Sequence, residues 1–254
     1  MRLITLNIWG GRVSAKLGPF FKTYSSTDIW CFQEVYNLSP NGPGADSMIK
    51  VEGYEPDPEL FPNLKHRLPT HRGEFCPTYK SVYGLATFVR GGIEIIDMGE
   101  MLVAAGDWND NADIATKDHH RKLQWMELKI DQKYLLLVNA HLTHRPAGKQ
   151  DSEKRLKQSR LIVDFLDMFN MPKIVAGDFN LLPDTESVQM IEQAGVRNLI
   201  KDYSITSTRT ELYKKDLPFA DYIFTSPEIK VNEFKVLPET VSDHSALSLD
   251  FSLT

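Results

Sequence analysis

Lys173-Ile174-Val175-Ala176-Gly177-Asp178-Phe179-Asn180 opens as a short apolar run and breaks off at a carboxylate. A run of this length and composition, closed by Gly and Asp, reads as a strand. The same plan recurs. Leu3-Ile4-Thr5-Leu6 ends in Asn7, Ile29-Trp30-Cys31-Phe32-Gln33 ends in Glu34, and Leu135-Leu136-Leu137-Val138-Asn139-Ala140 ends in His141. One polar ending is ordinary, because strands often finish in a residue that meets solvent or caps a turn. Four endings able to ligate a metal or move a proton point to a shared site at the carboxyl edge of the sheets. On an extended backbone, Asp178 and Asn180 stand two apart and point to the same side.

Around these four, further strand signals fall at residues 82–89, 123–130, 222–224 and 246–251. The run 135–138 is continuously apolar and is expected to be covered on both faces. Helical periodicity is predicted over 151–169, with Leu156, Ile162, Val163, Leu166 and Phe169 as its apolar stripe. Lys154, Arg155, Lys157 and Arg160 fall mostly outside that stripe. A second helix is predicted over 184–194, with Asp184 as N-cap and Gly195 just past its end. A weakly patterned third lies between 11 and 25. Residues 38–62 and 69–80 are rich in Pro, Gly, Asn and Asp and read as loops. With no repeat and no shift in composition, the reading is one α/β domain over 1–254.

The chain has 254 residues, 42% hydrophobic and 25% charged, enough to build a core without covalent staples. Two cysteines, Cys31 and Cys76, make no disulfide framework, so a reducing compartment is expected. Basic residues number 29 against 34 acidic, a formal charge of −5, which argues against a strongly basic nucleic-acid coat and leaves room for a local basic rim. No run approaches the roughly eighteen apolar residues of a membrane span. The first residues read directly as a strand rather than a secretory leader, so a cytoplasmic location is expected.

A second polar cluster lies toward the C-terminus, with Asp221 before Tyr222-Ile223-Phe224 and Ser242-Asp243-His244-Ser245 before the last strand. Adjacent strand residues point opposite ways, so Asp243 and His244 share a site only if that segment bends. Taken alone, Asp221 reads better as a turn residue and Asp243 as a cap. Carboxylates and an amide without cysteine are hard oxygen donors, suited to Mg²⁺ or Mn²⁺ rather than Zn²⁺. Two histidines add proton transfer and hydrogen bonds to an oxyanion. The set fits attack of an activated water on a phosphate ester. A Walker-type phosphate loop and a Gly-x-Ser-x-Gly nucleophile elbow are both missing from the sequence.

Thr5-Leu6-Asn7-Ile8-Trp9-Gly10, Phe32-Gln33-Glu34-Val35, Asn139-Ala140-His141-Leu142, Gly177-Asp178-Phe179-Asn180 and Ser242-Asp243-His244 stand in one order along the chain. That order resembles the endonuclease/exonuclease/phosphatase superfamily, the DNase I-like group. The resemblance implies a four-layer αββα sandwich with its site at one end of two packed sheets. It further implies divalent-metal-dependent hydrolysis of phosphodiesters or phosphomonoesters. By the same resemblance Glu34 would be the principal Mg²⁺ ligand, with Asn7 beside it and Asp243 contributing. Asp178 would orient or deprotonate the water, and Asn180 would hold it or a phosphate oxygen. His244 and His141 would contact the phosphate, with Asp221 fixing the His244 tautomer.

Departures bear on substrate. The branch that cleaves abasic sites carries a Tyr-x-Pro-Asn type segment where this chain has Asn139-Ala140-His141-Leu142, and an Asp where this chain has Trp9. The histidine form looks more like the DNase I, sphingomyelinase, deadenylase and tyrosyl-DNA phosphodiesterase branches. The leading expectation is a nucleic-acid phosphodiesterase, a nuclease or DNA-end processor, with no obligate protein partner. Hydrolysis of lipid or inositol phosphates, or a scaffold without turnover, are the alternatives. Arg67, Arg72, Lys80, Arg121, Lys122 and Arg209 read as a phosphate rim or as scattered solvated charge. Trp9 and Trp108 could stack on bases or pack. His119-His120 reads as a surface pair.

Overall fold

Alternation along the first strand sets the layers. In β1 (Arg2–Asn7), Leu3 joins the core between two sheets, while Ile4 and Leu6 join a second core beneath helices. β2 (Ile29–Tyr36) repeats this, with Ile29 and Cys31 on the inner face and Trp30 and Phe32 on the helix side. The period of two therefore aims the next inner positions, Asn7 and Gln33, into the space between the sheets.

The structure, a computed structural model, describes residues 1–38, 48–49, 51–106, 119–145 and 148–254. The remaining strands are β3 (His71–Tyr79), β4 (Tyr83–Arg90), β5 (Glu94–Ala104), β6 (Arg121–Ile130), β7 (Lys133–His141), β8 (Lys173–Asp178), β9 (Arg197–Asn198), β10 (Asp221–Thr225), β11 (Ile229–Val236) and β12 (Leu247–Leu253). They form two six-stranded mixed sheets, ordered β11-β12-β1-β2-β4-β3 and β5-β6-β7-β8-β10-β9. Helices α1 (Ser14–Thr23) and α2 (Leu60–Arg67) pack Leu17, Phe20, Phe21, Leu60 and Leu64 on the first sheet. Helices α3 (Glu153–Asp167) and α4 (Glu186–Gln193) pack Ile162, Phe165, Leu166, Val188 and Ile191 on the second. α5 (Leu199–Asp202) is a single turn beside β10. The layers are helix, sheet, sheet, helix, as expected.

A buried polar chain stitches the sheets together just below their carboxyl edge. Gln33 Nε2 donates to Asn139 Oδ1 (2.7 Å), Asn139 Nδ2 to Thr87 Oγ1 (3.1 Å), and Thr87 Oγ1 to Gln124 Oε1 (2.8 Å).

Several expectations are corrected. Residues 69–80 are not a loop: β3 runs through them at the edge of the first sheet, antiparallel to β4. α2 begins inside the other stretch read as loop. Arg155 does not face water; it is buried, and donates to the carbonyls of Thr143, His144 and Gln150. Asp184 does not cap α4. The Asp151 carboxylate does so from another segment, accepting from the N–H groups of Glu186 (2.8 Å) and Ser187 (3.0 Å). Among the described residues, no helix is long and apolar enough to cross a membrane.

Candidate active site

Both parallel pairs, β1–β2 and β7–β8, end at the same edge of the sandwich, and there the expected residues meet. Register sets His141 beside Asp178 and Asp221 beside Asp178 on the other flank. Asn7 links the sheets: its Nδ2 donates to Glu34 Oε1 (3.1 Å) and to Asp178 Oδ2 (3.0 Å), while its Oδ1 accepts from Trp9 N–H (3.0 Å).

Strict alternation would aim Glu34 at the helices with Trp30 and Phe32. A register shift between Phe32 and Val35, with Glu34 at φ +59°, turns the carboxylate toward the site instead. A left-handed backbone at a non-glycine residue is costly, of order 1–3 kcal/mol, and is retained where the surroundings fix it. Gly177 answers a different need. Its φ is +139° and a Cβ there would lie 2.0 Å from the Ala140 carbonyl oxygen, so only glycine lets β7 and β8 close up beside His141 and Asp178.

The extended backbone ends at Asp178, which corrects the expectation of an extended Asp178-Phe179-Asn180. Asn180 is left-handed (φ +53°), and its N–H donates to Asp178 Oδ1 (2.9 Å). The two side chains share the site through this Asx-type turn rather than through strand alternation.

Asp178 Oδ2 is the hub. His141 Nε2 stands 3.6 Å from it and His244 Nε2 3.7 Å, both just beyond hydrogen-bonding distance. His244 Nδ1 is held by both Asp221 oxygens, at 3.0 and 2.8 Å. The chain does bend at Ser242-Asp243-His244. Ser242 Oγ donates to the Asn7 carbonyl (2.7 Å) and accepts from His244 N–H (3.2 Å), so Asp243 and His244 reach the same site. Thr208, a residue the sequence did not single out, clamps this corner: its Oγ1 accepts from the N–H groups of Ala220 and Asp221, and its carbonyl from that of Ser245.

Electrostatics separate the carboxylates. Burial, then the nearby Asp243 charge, raises the Glu34 pKa. Asp178 moves the other way: burial opposes its ionisation, but His244, His141, Arg209 and Lys149 hold it well below the usual carboxylate range. Burial and Arg209 act to lower the His244 value, and the Asp221, Asp243 and Asp178 carboxylates outweigh them, so it lies above the ordinary one. Burial and then Arg121 push His141 well below, leaving it neutral.

The residues fit a hard divalent cation on the Glu34 side. Glu34 and Asp243 repel each other without one, Asn7 Oδ1 keeps a second lone pair, and no thiol is near. Ligand atoms of Asp178, Asp221 and His244 also lie within 4.8 Å of one another. Both Asp221 oxygens are engaged by His244, and Asp178 accepts from Asn7 and Asn180, so these carboxylates are hydrogen-bonded without a cation.

The site opens into a cavity of about 290 Å³, lined by Lys149, Arg209 and Tyr213 and also by Tyr83, His119 and Arg121. Of the basic residues expected at a rim, Arg121 and Arg209 reach this cavity. Arg72 and Lys122 pair with Glu74 and Glu100 instead, and Arg67 and Lys80 are exposed. His119 is not a surface residue: it is buried edge-on to Tyr83 (5.4 Å) and near His141 (6.3 Å). Trp9 packs on Tyr54 and Arg12; Trp108 lies outside the described residues. Lys149 and Tyr213 carried no sequence signal, because they come from irregular segments without periodicity.

Residues 4–244 match the model of the Endonuclease/Exonuclease/phosphatase family. No curated protein matches the chain by sequence. Similar solved structures include a Bacteroides thetaiotaomicron mannosyl-6-phosphatase (17% identity, 100% of both chains, TM-score 0.74). The human Nocturnin catalytic domain with bound sulfate is similar at 18% identity over 100% of this chain and 94% of that one, TM-score 0.73. D. rerio TDP2 with a single-strand DNA product is similar at 17% identity over 99% and 98%, TM-score 0.71. By the family match across nearly its whole length, with the five motifs converging at one sheet edge, the chain belongs to the Endonuclease/Exonuclease/phosphatase family.

Proposed function

We propose that this protein is a divalent-metal-dependent hydrolase of phosphate esters, acting on phosphodiesters of nucleic acid as a nuclease or a DNA-end processor. The observation that carries the reading is the convergence of Asn7, His141 and His244 on one Asp178 carboxylate, with Glu34 on the far side of Asn7. Glu34, with Asn7 and Asp243, would hold Mg²⁺ or Mn²⁺. Such a cation neutralises charge on a phosphate oxygen and makes a bound water more acidic.

The chain's own residues supply the rest. Asp178, ionised at neutral pH, orients the attacking water and takes its proton as the water oxygen bonds to phosphorus. The P–O ester bond breaks in line, and the departing alcohol oxygen takes up a proton from solvent, to which Asp178 later returns its own. Asp221 accepts from Nδ1–H of His244, which fixes the ring's orientation and favours the imidazolium, whose Nε2–H then faces a phosphate oxygen as charge builds there. His141, neutral, and the Asn180 amide offer further contacts to the same oxygens.

A small phosphorylated molecule is the second reading, favoured by the modest volume of the cavity, about 290 Å³. The test is a hydrolysis panel in Mg²⁺, Mn²⁺ and EDTA, with single- and double-stranded DNA, RNA, a 5′-tyrosyl end, an abasic duplex, sphingomyelin, an inositol polyphosphate and a sugar phosphate. Metal-dependent release from DNA without abasic preference is expected. Turnover of lipid, inositol or sugar phosphates with DNA untouched would transfer the assignment to the second reading. Activity that survived exhaustive EDTA treatment would sink the metal mechanism.

A further inference from the structure

One wall of the cavity is built around a buried lysine. Lys149 is 5% exposed, yet it lines the cavity. Its main chain is fixed, since its carbonyl accepts from Leu182 N–H (2.9 Å), two residues beyond Asn180. Its Nζ donates to the Phe219 carbonyl (2.7 Å), two residues before Asp221, and sits 5.5 Å from the centre of the Tyr213 ring. The Arg209 guanidinium stacks on that ring at 3.9 Å and donates to Asp243 (3.2 Å). Arg209 Nε is buried without a hydrogen-bond partner.

An ammonium carries three donors, and one is committed to Phe219. Nothing structural requires a cation there: a carbonyl is served as well by a neutral donor, and burying a charge is costly. Burial, then the neighbouring Arg209, lowers the Lys149 pKa to about 8, against the pull of the Asp178, Asp221 and Asp243 carboxylates. Two cations against one aromatic ring, in the wall of a cavity that the Asp178 and Asp243 carboxylates also line, suit an anion bound in that cavity.

Resting on the reading of this site as a phosphoesterase centre, we infer that Lys149 is a substrate-binding residue, donating to a non-bridging phosphate oxygen, with the Phe219 carbonyl and the Tyr213 ring holding it in place. The contact is charge-assisted, so both the charge and the donor matter. Esters with more negative charge on phosphorus depend on it more: a phosphomonoester more than a diester.

Lys149→Gln keeps a donor for Phe219 and removes the charge; Lys149→Arg keeps the charge. Inorganic phosphate, measured by calorimetry in the presence of Mg²⁺, is expected to bind Lys149→Gln at least about tenfold more weakly and Lys149→Arg within about threefold of wild type. With p-nitrophenyl phosphate and bis(p-nitrophenyl) phosphate, kcat/KM of Lys149→Gln should fall more for the monoester. Should the variants fold poorly, wild type alone still answers. Inorganic phosphate should protect Lys149 from acetylation, read by mass spectrometry, while exposed Lys65 is unaffected. Phosphate affinity within twofold of wild type in Lys149→Gln, unprotected Lys149, or a wild type that binds no phosphate overturns the inference. Lys149-dependent phosphate binding in a wild type that hydrolyses no ester with any divalent cation would instead overturn the proposed function and leave the phosphate site standing.

Discussion

In each sheet a parallel pair occupies the centre, β1–β2 in one and β7–β8 in the other, each joined by a crossover that carries a helix, α1 or α3. Antiparallel strands flank both pairs. The same backbone plan therefore delivers Asn7 and Glu34 from one half, and His141 and Asp178 from the other, to one edge. The chemistry then diverges. Glu34 sits on a left-handed bulge among like charges and is hard to ionise unaided, whereas Asp178 sits among histidines and cations and ionises readily. Under the proposed function, one half would hold a cation, and the other would aim the nucleophile and receive the phosphate.

The largest expected effect comes from the second half. Asp178→Asn should cut turnover by about a thousandfold or more while the fold persists. A loss below about tenfold would show that the first half suffices for chemistry.

Next are the supports of the second half. His244→Ala and Asp221→Asn should each lower turnover by a factor on the order of ten to a thousand, the histidine change more, with the double variant little worse than His244→Ala. Multiplicative losses would mean that the two act separately. The pH profile gives the sign: the carboxylates hold the His244 imidazolium above its ordinary range, so activity falls as pH rises through that raised value. Asp221→Asn removes the nearest carboxylate, and the alkaline limb should move to lower pH.

Smaller again are the two devices that seat the halves. Gly177→Ala forces a Cβ against the Ala140 carbonyl and should cost about 3 kcal/mol by urea unfolding. Asn139→Ala strands the Gln33 and Thr87 donors and acceptors between the sheets and should cost about 1–3 kcal/mol. An unchanged midpoint in either would remove that residue from the account.

The same comparison explains what the sequence made legible. The eight strand signals are the eight interior strands, whose two covered faces make continuous apolar runs such as Leu135-Leu136-Leu137-Val138. The edge strands β3, β5, β9 and β11 escaped. β5 carries Glu94, Asp97, Gly99 and Glu100, and β3 carries Gly73 and Pro77; edges face water and resist further pairing, so they give no strand signal. At the site, residues at strand ends were legible because a polar side chain closing an apolar run is a local event. The Glu34 bulge and the burial of His119, Lys149 and Arg155 were not, since each depends on segments distant in sequence.

A Mg²⁺ titration of Glu34→Gln and Asp178→Asn, by calorimetry against wild type, tests the division of labour most directly. The account predicts that Glu34→Gln binds Mg²⁺ at least about tenfold more weakly, and that Asp178→Asn binds it within about threefold of wild type although turnover is lost. Mg²⁺ affinity kept by Glu34→Gln and lost by Asp178→Asn would place the cation in the other half and contradict the account.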